Sequence, residues 1–333
     1  MAQPGSFNAC NRCSGCNACH ACHALQRRLV LRGIGALAAA PALAAQGAVP
    51  AAPGAAGGVR VRDALGRSVW LPRAPQRIVT IFSSNTELVV SLGLVERIVG
   101  VEDFTRFPPE VLPLPKIGGR LGFSVDAVVA QQPDLVIVTP ARQAANQLVA
   151  PMERIGVPVL VLLSRSLQEV MDNVRLVGLA CGVAARADAL ASSLLARLHR
   201  VDAKTAARPA PRTLMVAGRA GNGMLLLART GTYTGEAIVR AGARHAMPDL
   251  GTLAQVSPEA VLAADPDVLL FAGTAQAMND LVQQPGWRDM RAVVERRAWV
   301  VSRSEFLIPG PRTFDGIEAL AQRLHPASFK DSA

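Results

Sequence analysis

The hydrophobic and polar positions of this chain follow one pattern twice. Residues 124–137, SVDAVVAQQPDLVI, are matched 133 residues later by residues 257–270, SPEAVLAADPDVLL. Each copy places a serine and an acid before a short amphipathic stretch, followed by a Pro-Asp pair and an aliphatic run. Serine is a preferred helix N-cap, proline stops a helix, and an aliphatic run of this length is typical of a buried strand. The pattern therefore predicts two similar helix–turn–strand units.

A second pair of matching segments lies upstream of these two. Glu87 opens the segment ELVVSLG, which ends at Gly93, and Glu236 opens EAIVRAG, which ends at Gly242. Both have the form E-x-x-V-x-x-G, which predicts a helix that begins near the acid and ends at a glycine cap. The repeat indicates two similarly built lobes with a ligand cleft between them. The alternative is two ordinary α/β units that resemble each other by chance.

The rest of the pattern completes an α/β fold. We expect residues 59–165 and residues 206–333 to form two lobes, each with a mostly parallel central sheet flanked by helices. Between them, apolar residues at three- and four-residue spacings predict one long helix over residues 166–204, weakened in its middle by Gly178 and Gly182. This linking helix, within residues 166–205, would join the lobes as a rigid strut.

Composition narrows the class of protein. The 333 residues are 50% hydrophobic and 18% charged, which suits a globular chain of two domains, and no apolar run has the length of a membrane-spanning helix. The net charge is +10, but the first 45 residues hold four arginines and no acid. The remaining basic residues are scattered and not interleaved with aromatic residues, so we expect no binding to nucleic acid.

Residues 26–45 have the features of an export signal. Arg27 and Arg28 open a segment similar to the twin-arginine pattern, an apolar stretch follows, and Ala42-Leu43-Ala44 is a small-x-small cleavage site. The general secretory route is the alternative. Cleavage near Ala44 would release the mature protein outside the cytoplasmic membrane, in the periplasm. Residues 46–58, rich in Pro, Gly and Ala, would form a flexible linker.

A cysteine-rich extension, residues 1–25, precedes this signal. Five cysteines recur every third residue, with His20 and His23 beside them: Cys10, Cys13, Cys16, Cys19 and Cys22. Such a run could ligate zinc or a thiolate-bound cluster, and it contains two C-x-x-C-H matches to the c-type haem signature. Its position before the export signal argues against haem attachment. The alternative is that translation begins later and the extension is never made.

From about Arg77 to Pro326, the chain resembles the periplasmic solute-binding proteins of ABC importers for metal chelates, namely cobalamin, haem and ferric siderophores. The matching segments are RIVTIFSSNTELVVSLGLVERIVGV, SVDAVVAQQPDLVIV, GTYTGEAIVRAGA, PGWRDMRAVVERRAWVV and GPRTFDGIEALAQRLHP. The resemblance implies two α/β lobes that move modestly around a rigid helix. It also implies that Glu87 and Glu236 dock to arginines of the membrane permease; the alternative is that both are ordinary acids near helix starts.

The resemblance and the topology place the ligand between the lobes, at the carboxyl ends of the strands. Tyr233 is the only tyrosine, and haem carriers of this type generally use tyrosine or histidine as the axial ligand. Ser84 to Leu88 together with Phe107-Pro108-Pro109 look most similar to cobalamin carriers, whereas the arginines suit an anionic ferric siderophore or citrate chelate. The sequence slightly favours cobalamin. Candidate ligand-binding residues are Phe82, Ser83, Ser84, Asn85, Phe104, Arg106, Phe107, Arg120, Arg142, Arg219, Tyr233, Thr274 and Phe306.

Three other classes of function compete with this interpretation. A free-metal carrier would need three or four converging His, Asp or Glu ligands, and the chain has few histidines. An enzyme would need a nucleophile or base beside an orienting partner, and the sequence has no Ser-His-Asp order and no H-E-x-x-H. A metal-binding or redox protein would depend on the cysteine run. We expect a monomeric, non-enzymatic carrier without an intrinsic cofactor.

Overall fold

The computed structural model describes residues 57–119, 122–139, 144–250 and 255–330. The predictions for the cysteine run, the export signal and most of the linker lie outside these residues. So do two candidate ligand-binding residues, Arg120 and Arg142.

The first lobe, here called lobe one, has a four-stranded parallel sheet in the order β4-β3-β7-β8. A β1–β2 hairpin precedes it. The strands of the sheet are aliphatic and almost wholly buried, as expected of parallel strands covered on both faces. Its strands are β1 (Val59–Arg62), β2 (Ser68–Leu71), β3 (Ile78–Ile81), β4 (Ile98–Val101), β5 (Gly118–Gly119), β6 (Gly122–Phe123), β7 (Leu135–Val138) and β8 (Val159–Val161); its helices are α1 (Ser83–Ser91), α2 (Val125–Ala130) and α3 (Ala144–Arg154).

Helices α4 (Leu167–Ala180) and α5 (Ala184–Thr205) follow lobe one. The predicted single helix over residues 166–204 is wrong in this respect, because the chain turns at Gly182, whose φ is +75°. The two helices pack closely: a Cβ on Gly178 would lie 2.1 Å from the Cβ of Ala187. The long connecting helix is α5 alone, and its 22 residues span roughly 33 Å at 1.5 Å per residue.

The second lobe, here called lobe two, has a mixed sheet in the order β12-β10-β9-β13-β14. Strands β11, β13 and β14 run parallel to their neighbours, and β10 and β12 run antiparallel. The strands are β9 (Arg212–Arg219), β10 (Leu225–Leu227), β11 (Arg244–His245), β12 (Gln255–Val256), β13 (Val268–Ala272) and β14 (Ala298–Val301); the helices are α6 (Tyr233–Arg240), α7 (Pro258–Ala264), α8 (Ala275–Val282), α9 (Arg291–Val294), α10 (Arg303–Phe306) and α11 (Arg312–Leu324). The predicted fold of two α/β lobes and a long connecting helix is confirmed.

One apolar core runs through both lobes. It includes Val89 of α1, Val174 of α4, Leu198 of α5 and Phe314 of α11, all at most 2% exposed. Because α4 and α5 contribute side chains to this core, they fix each lobe to the other by packing as well as by chain connectivity.

The sequence repeat extends to individual hydrogen bonds. Ser124 caps α2 by accepting from the Ala127 N–H, and Ser257 caps α7 by accepting from the Ala260 N–H. After each helix, the aspartate of the Pro-Asp pair accepts backbone N–H groups at the start of a neighbouring strand. Asp134 takes those of Gln76 and Arg77, and Asp267 takes that of Arg212.

The arginine at each of these strand starts completes the unit. Arg77 donates to the carbonyls of Gln131 and Gln132 at the end of α2, and Arg212 donates to those of Ala264 and Asp265 at the end of α7. Two segments that match in sequence therefore also match in the contacts that join helix, turn and strand.

Removing either turn aspartate should destabilise its lobe. We expect Asp134→Ala and Asp267→Ala each to lower the free energy of unfolding by about 0.5–1.5 kcal/mol, since the backbone N–H groups at the start of the strand lose their hydrogen bonds to the carboxylate. Burial raises the pKa of Asp267, but the Arg212 N–H and the charge of Arg291 outweigh it and hold that pKa below its usual range. A depressed folded-state pKa contributes stability at neutral pH that is lost as the pH falls through it.

Urea unfolding at pH 7 and pH 3 measures both effects, with the exposed Asp289→Ala as the control. The difference between wild type and Asp267→Ala should shrink at the lower pH. A loss no greater than that of Asp289→Ala would contradict the structural role.

Candidate ligand-binding site

The parallel strands of each lobe end at one edge of their sheet, here called the carboxyl edge. In lobe one, β3 ends there and α1 begins at Ser83, four residues before the predicted start near Glu87. The reason is Glu102, which follows β4: its Oε1 accepts from the Ser83 N–H at 2.9 Å and from the Ser83 hydroxyl at 2.7 Å. A carboxylate at a helix N-terminus is favoured by the helix dipole, so Glu102 caps α1 from a neighbouring strand.

The chain turns sharply from β3 into α1. Phe82, at the junction, has φ 92° and ψ 131°, a conformation that side-chain-bearing residues rarely adopt. Asn85 donates from Nδ2 to the Ile81 carbonyl at 2.6 Å and accepts from the Thr139 hydroxyl at 3.2 Å. The predicted ligand-binding residues Ser83, Ser84 and Asn85 are therefore buried within lobe one. The hydrogen bonds of Ser83 and Asn85 fix the turn from β3 into α1.

The loop after β4 exposes apolar and cationic groups together. Phe104 is 70% exposed and Phe107 41% exposed, which is unusual for phenylalanine. Arg106, also exposed, donates to the carbonyls of Asp103 and Thr105. Lys116 lies in a segment bridged in parallel to β4, and its pKa is lowered by partial burial and by the nearby charge of Arg106. Sequence reasoning missed Lys116, because only the bridge to β4 brings it to this edge.

The carboxyl edge of lobe two also exposes a cationic side chain, but no aromatic ring is among the exposed residues described below. Arg219, the last residue of β9, is exposed, and so is Thr274, whose hydroxyl caps α8. Arg303 donates to the carbonyls of Ala217 and Ala272, at 3.1 Å each, and so fixes the ends of β9 and β13. Phe306, predicted as a ligand contact, is 1% exposed and belongs to the core.

Tyr233 begins α6 and packs against the main core. Burial raises the pKa of its phenol to about 12. In the absence of a ligand, the phenol is therefore protonated at neutral pH.

The two lobes are joined by an ion pair near the carboxyl edges. Arg312, the first residue of α11, donates from Nε to Oε2 of Glu87 at 2.8 Å and from its terminal nitrogen to Oε1. The guanidinium carbon also lies 4.1 Å from the centroid of the Phe107 ring. Glu87 is 4% exposed, and its pKa is raised because burial outweighs the hydrogen bond and the charge of Arg312.

Glu236, the counterpart of Glu87 in the repeat, has a different environment. It is half-buried on α6, and its Oε2 accepts from the N–H of Leu167, the first residue of α4, at 2.8 Å. The sequence identified both glutamates but neither partner. The only signal for Arg312 was its presence in the GPRT segment of the family resemblance.

The described histidines are not arranged as metal ligands. His245 contacts the Gly235 carbonyl through Nε2 at 3.2 Å, and His325 contacts the Gly242 carbonyl at 3.0 Å. Within the described ranges, no group of three or more His, Cys, Asp or Glu side chains could hold a metal ion. In the same ranges, no helix is both long and apolar enough to cross a membrane.

The structure thus consists of two α/β lobes that share an apolar core and are joined by a long helix. The chain belongs to the periplasmic binding protein family, whose model matches residues 78–301. The resemblance drawn from the sequence is therefore confirmed. Relatives in this family are substrate-binding proteins of ABC importers, which are transport components and not enzymes.

Two curated relatives cover most of the folded chain. The first is the "Vitamin B12-binding protein" of Salmonella choleraesuis, 27% identical over 219 residues, which are 66% of this chain and 80% of that protein. The second is the "Uncharacterized ABC transporter substrate-binding lipoprotein YvrC" of Bacillus subtilis, 26% identical over 277 residues, which are 82% of this chain and 87% of that protein.

Solved structures give the same fold with other cargoes. A periplasmic heme-binding protein from Pseudomonas aeruginosa is 31% identical, with a TM-score of 0.65 over 76% of this chain and 94% of that chain. The heme-binding protein RhuT from Roseiflexus sp. RS-1 is 28% identical, with a TM-score of 0.66 over 76% of this chain and 99% of that one.

Proposed function

We propose that the protein captures a metal chelate between the carboxyl edges of its two lobes and delivers it to an ABC importer permease. Export through residues 26–45 and work in the periplasm belong to this proposal. The cargo that we favour is cobalamin or another corrinoid.

The observation that carries the cargo proposal is the chemistry of the two edges. Phe104 and Phe107 offer exposed rings for stacking on a large apolar or conjugated face. Among the described edge residues there is no imidazole, and the phenol of Tyr233 is half-buried against the core. Such a site fits a chelate that supplies all the ligands of its own metal, as a corrinoid does, better than haem bound through an axial side chain.

The positive charges of the carboxyl edges support a second candidate cargo, an anionic chelate. Arg106 and Lys116 at the edge of lobe one, and Arg219 at the edge of lobe two, are cationic and lie beside exposed surface. Guanidinium groups bind carboxylates with two parallel hydrogen bonds, so an anionic ferric siderophore or citrate chelate would also be accepted.

A ligand titration tests the proposal. The protein would be refolded free of ligand and titrated with cobalamin, haemin, and ferric hydroxamate, catecholate and citrate chelates, followed by tryptophan fluorescence and visible absorbance. We expect saturable binding of cobalamin. Phe104→Ala should weaken it by about tenfold through loss of stacking area, whereas Trp70→Ala, an exposed aromatic on the β1–β2 hairpin, should not.

Other outcomes of the titration would redirect the cargo proposal. Tight binding of an iron chelate alone would replace the corrinoid with the second candidate. A lack of binding to every chelate would contradict metal-chelate capture.

Delivery is proposed to use Glu87 and Glu236, the paired acids of the two lobes. Glu236 is half-buried and lies beside open space. Glu87 is held by Arg312, so its docking would require that ion pair to open first. The cysteine run of residues 1–25 has no part in this proposal.

A further inference from the structure

Strand β14 is the last strand of the lobe-two sheet, and no other described strand pairs with its outer side, here called the free edge. The register with β13 shows which groups face that edge. Leu269 donates to the Arg297 carbonyl at 3.0 Å, and Ala298 lies opposite Leu269 in the parallel ladder. Successive residues of a strand direct their backbone groups to opposite sides. Arg297 therefore faces β13, whereas Ala298, Val300 and Ser302 face the free edge.

The backbone groups along the free edge are largely unpaired. In the part of the chain that the structure describes, neither the N–H nor the carbonyl of Ala298 and Val300 forms a hydrogen bond, and Ser302 uses only its carbonyl, which accepts from the Phe306 N–H at 3.2 Å. Residues 298–301 are half-buried, and this short strand has no proline, bulge or charged residue that would protect it. An edge of this kind is a template for another strand.

Both edges of the lobe-one sheet, in contrast, are covered by other segments of the chain. On β4, Val101 donates to the Pro115 carbonyl and accepts from the Ile117 N–H, both at 3.1 Å. On β8, the Val161 carbonyl accepts from the Ala64 N–H of the β1–β2 hairpin at 3.0 Å. The chain thus pairs these two edges internally and leaves the edge of β14 open.

A groove runs beside the free edge, between β14 and one face of α11. Its volume is about 160 Å³, and α11 lines it with the small or aliphatic residues Gly316, Ala319 and Leu320. Glu305 and Arg323 lie toward its two ends. A Cβ on Gly316 would lie 2.9 Å from the Cβ of Glu305. Arg323 follows Gly316 by two turns of helix, which is about 10 Å.

The opposite charges toward the two ends of the groove have no ion-pair partner within the described residues. The guanidinium carbon of Arg323 lies 4.3 Å from the centroid of the Trp299 ring, and partial burial lowers the pKa of Arg323. Burial and the charge of Asp315 raise the pKa of Glu305, and the charge of Arg312 only partly offsets them. An anion beside Arg323 and a cation beside Glu305 would therefore be stabilising.

We propose that a second copy of this chain pairs antiparallel with the free edge of β14, with Val300 on the two-fold axis. In this register the two Val300 residues exchange their backbone hydrogen bonds, and Ala298 of each copy lies opposite Ser302 of the other. An antiparallel pair sets the start of one strand against the end of its partner, so Arg323 of each copy approaches Glu305 of the other. The surface is thus self-complementary, as a two-fold interface requires. The pairing does not depend on the cargo.

Analytical ultracentrifugation of the full chain measures the pairing, with a reductant present to keep the cysteine run from cross-linking. We expect the weight-average mass to rise toward twice that of one chain between about 1 and about 100 µM, as for a small interface. The monomer expected from the sequence would then exist only in dilute solution. A mass that does not change with concentration would overturn the proposal.

Proline on the axis tests the strand pairing. Val300→Pro should weaken association at least about tenfold, because proline lacks the N–H that Val300 donates across the axis. Since this N–H faces away from β13, the edge strand should tolerate the proline, and thermal unfolding should stay close to that of the wild type. A well-folded Val300→Pro variant that associates as tightly as the wild type would refute pairing through β14.

Exchanging the charges tests the register, and decides the proposal if Val300→Pro does not fold. Arg323→Glu and Glu305→Arg should each weaken association at least about tenfold, since each brings like charges together. An equal mixture of the two variants should associate again, because every contact between unlike copies then joins an acid to a base. Arg73→Glu, an exposed arginine just after β2, is the matched control and should associate normally. A mixture that stays monomeric would contradict the proposed pairing.

Discussion

Arg312→Ala is expected to lower the free energy of unfolding by about 3–5 kcal/mol, because it leaves a buried carboxylate without its counter-charge. Glu87 is 4% exposed, and both of its oxygens receive hydrogen bonds from the Arg312 guanidinium. The side chain of Arg312 is itself only 26% exposed. The pair joins α1 of lobe one to α11 of lobe two, so we also expect the variant to open more readily between the lobes.

The destabilisation should depend on pH in a defined direction. Burial already raises the pKa of Glu87 in the wild-type protein, and Arg312 opposes that rise. A raised folded-state pKa of an acid means that stability increases as the pH falls from above that pKa toward the unfolded-state value. Without Arg312 the pKa rises further, so the loss of stability in the variant should be larger at pH 8 than at pH 5.

Chemical denaturation at these two pH values measures the effect. The matched control is Arg197→Ala, since Arg197 of α5 pairs with Asp315 one turn along α11 but in a more exposed position. An exposed pair contributes about 0–1 kcal/mol. Equal losses in the two variants, or a loss that does not change with pH, would contradict the buried-pair account.

The double variant Glu87→Gln with Glu236→Gln should abolish uptake while leaving chelate affinity within about twofold. Neither carboxylate forms a hydrogen bond with a proposed ligand contact. Glu87 reaches one of those contacts, Phe107, only through Arg312, whose guanidinium can still donate to the oxygen of a glutamine. Interface acids that pair with arginines can contribute several kcal/mol when they become desolvated on docking. Glutamine keeps the shape of each side chain and its acceptor oxygen.

Uptake of labelled cargo and equilibrium binding of the same cargo would be measured in parallel. Glu295→Gln, an exposed acid just after α9, is the control and should leave uptake unchanged. Of the two single variants, Glu236→Gln should have the larger effect, because Glu87 is already paired. Lost chelate binding in the double variant would show that these acids serve the ligand site and not the permease.

Much of the fold could be read from local pattern. Strands β7 (Leu135–Val138) and β13 (Val268–Ala272) follow the two Pro-Asp pairs as predicted, because an aliphatic run of this length is typical of a buried strand. Gly93 and Gly242 end their helices at positive φ, as predicted. Both helices of the repeat begin before the predicted glutamate. Helix α1 begins at Ser83, where Glu102 accepts the Ser83 N–H from outside the helix, and α6 begins at Tyr233, where the local cap is Thr232.

The sequence by itself determined that this protein has two α/β lobes of common design, each with one glutamate at the same place on the same helix. Only the tertiary structure decided how deeply each glutamate is buried and which group it binds. Arg312, 225 residues from Glu87 in the chain, forms an ion pair with the Glu87 carboxylate. The Glu236 carboxylate instead accepts the backbone N–H of Leu167 and remains half-buried. Periodicity depends on neighbours three and four residues away, but burial and charge pairing depend on which distant segments fold together.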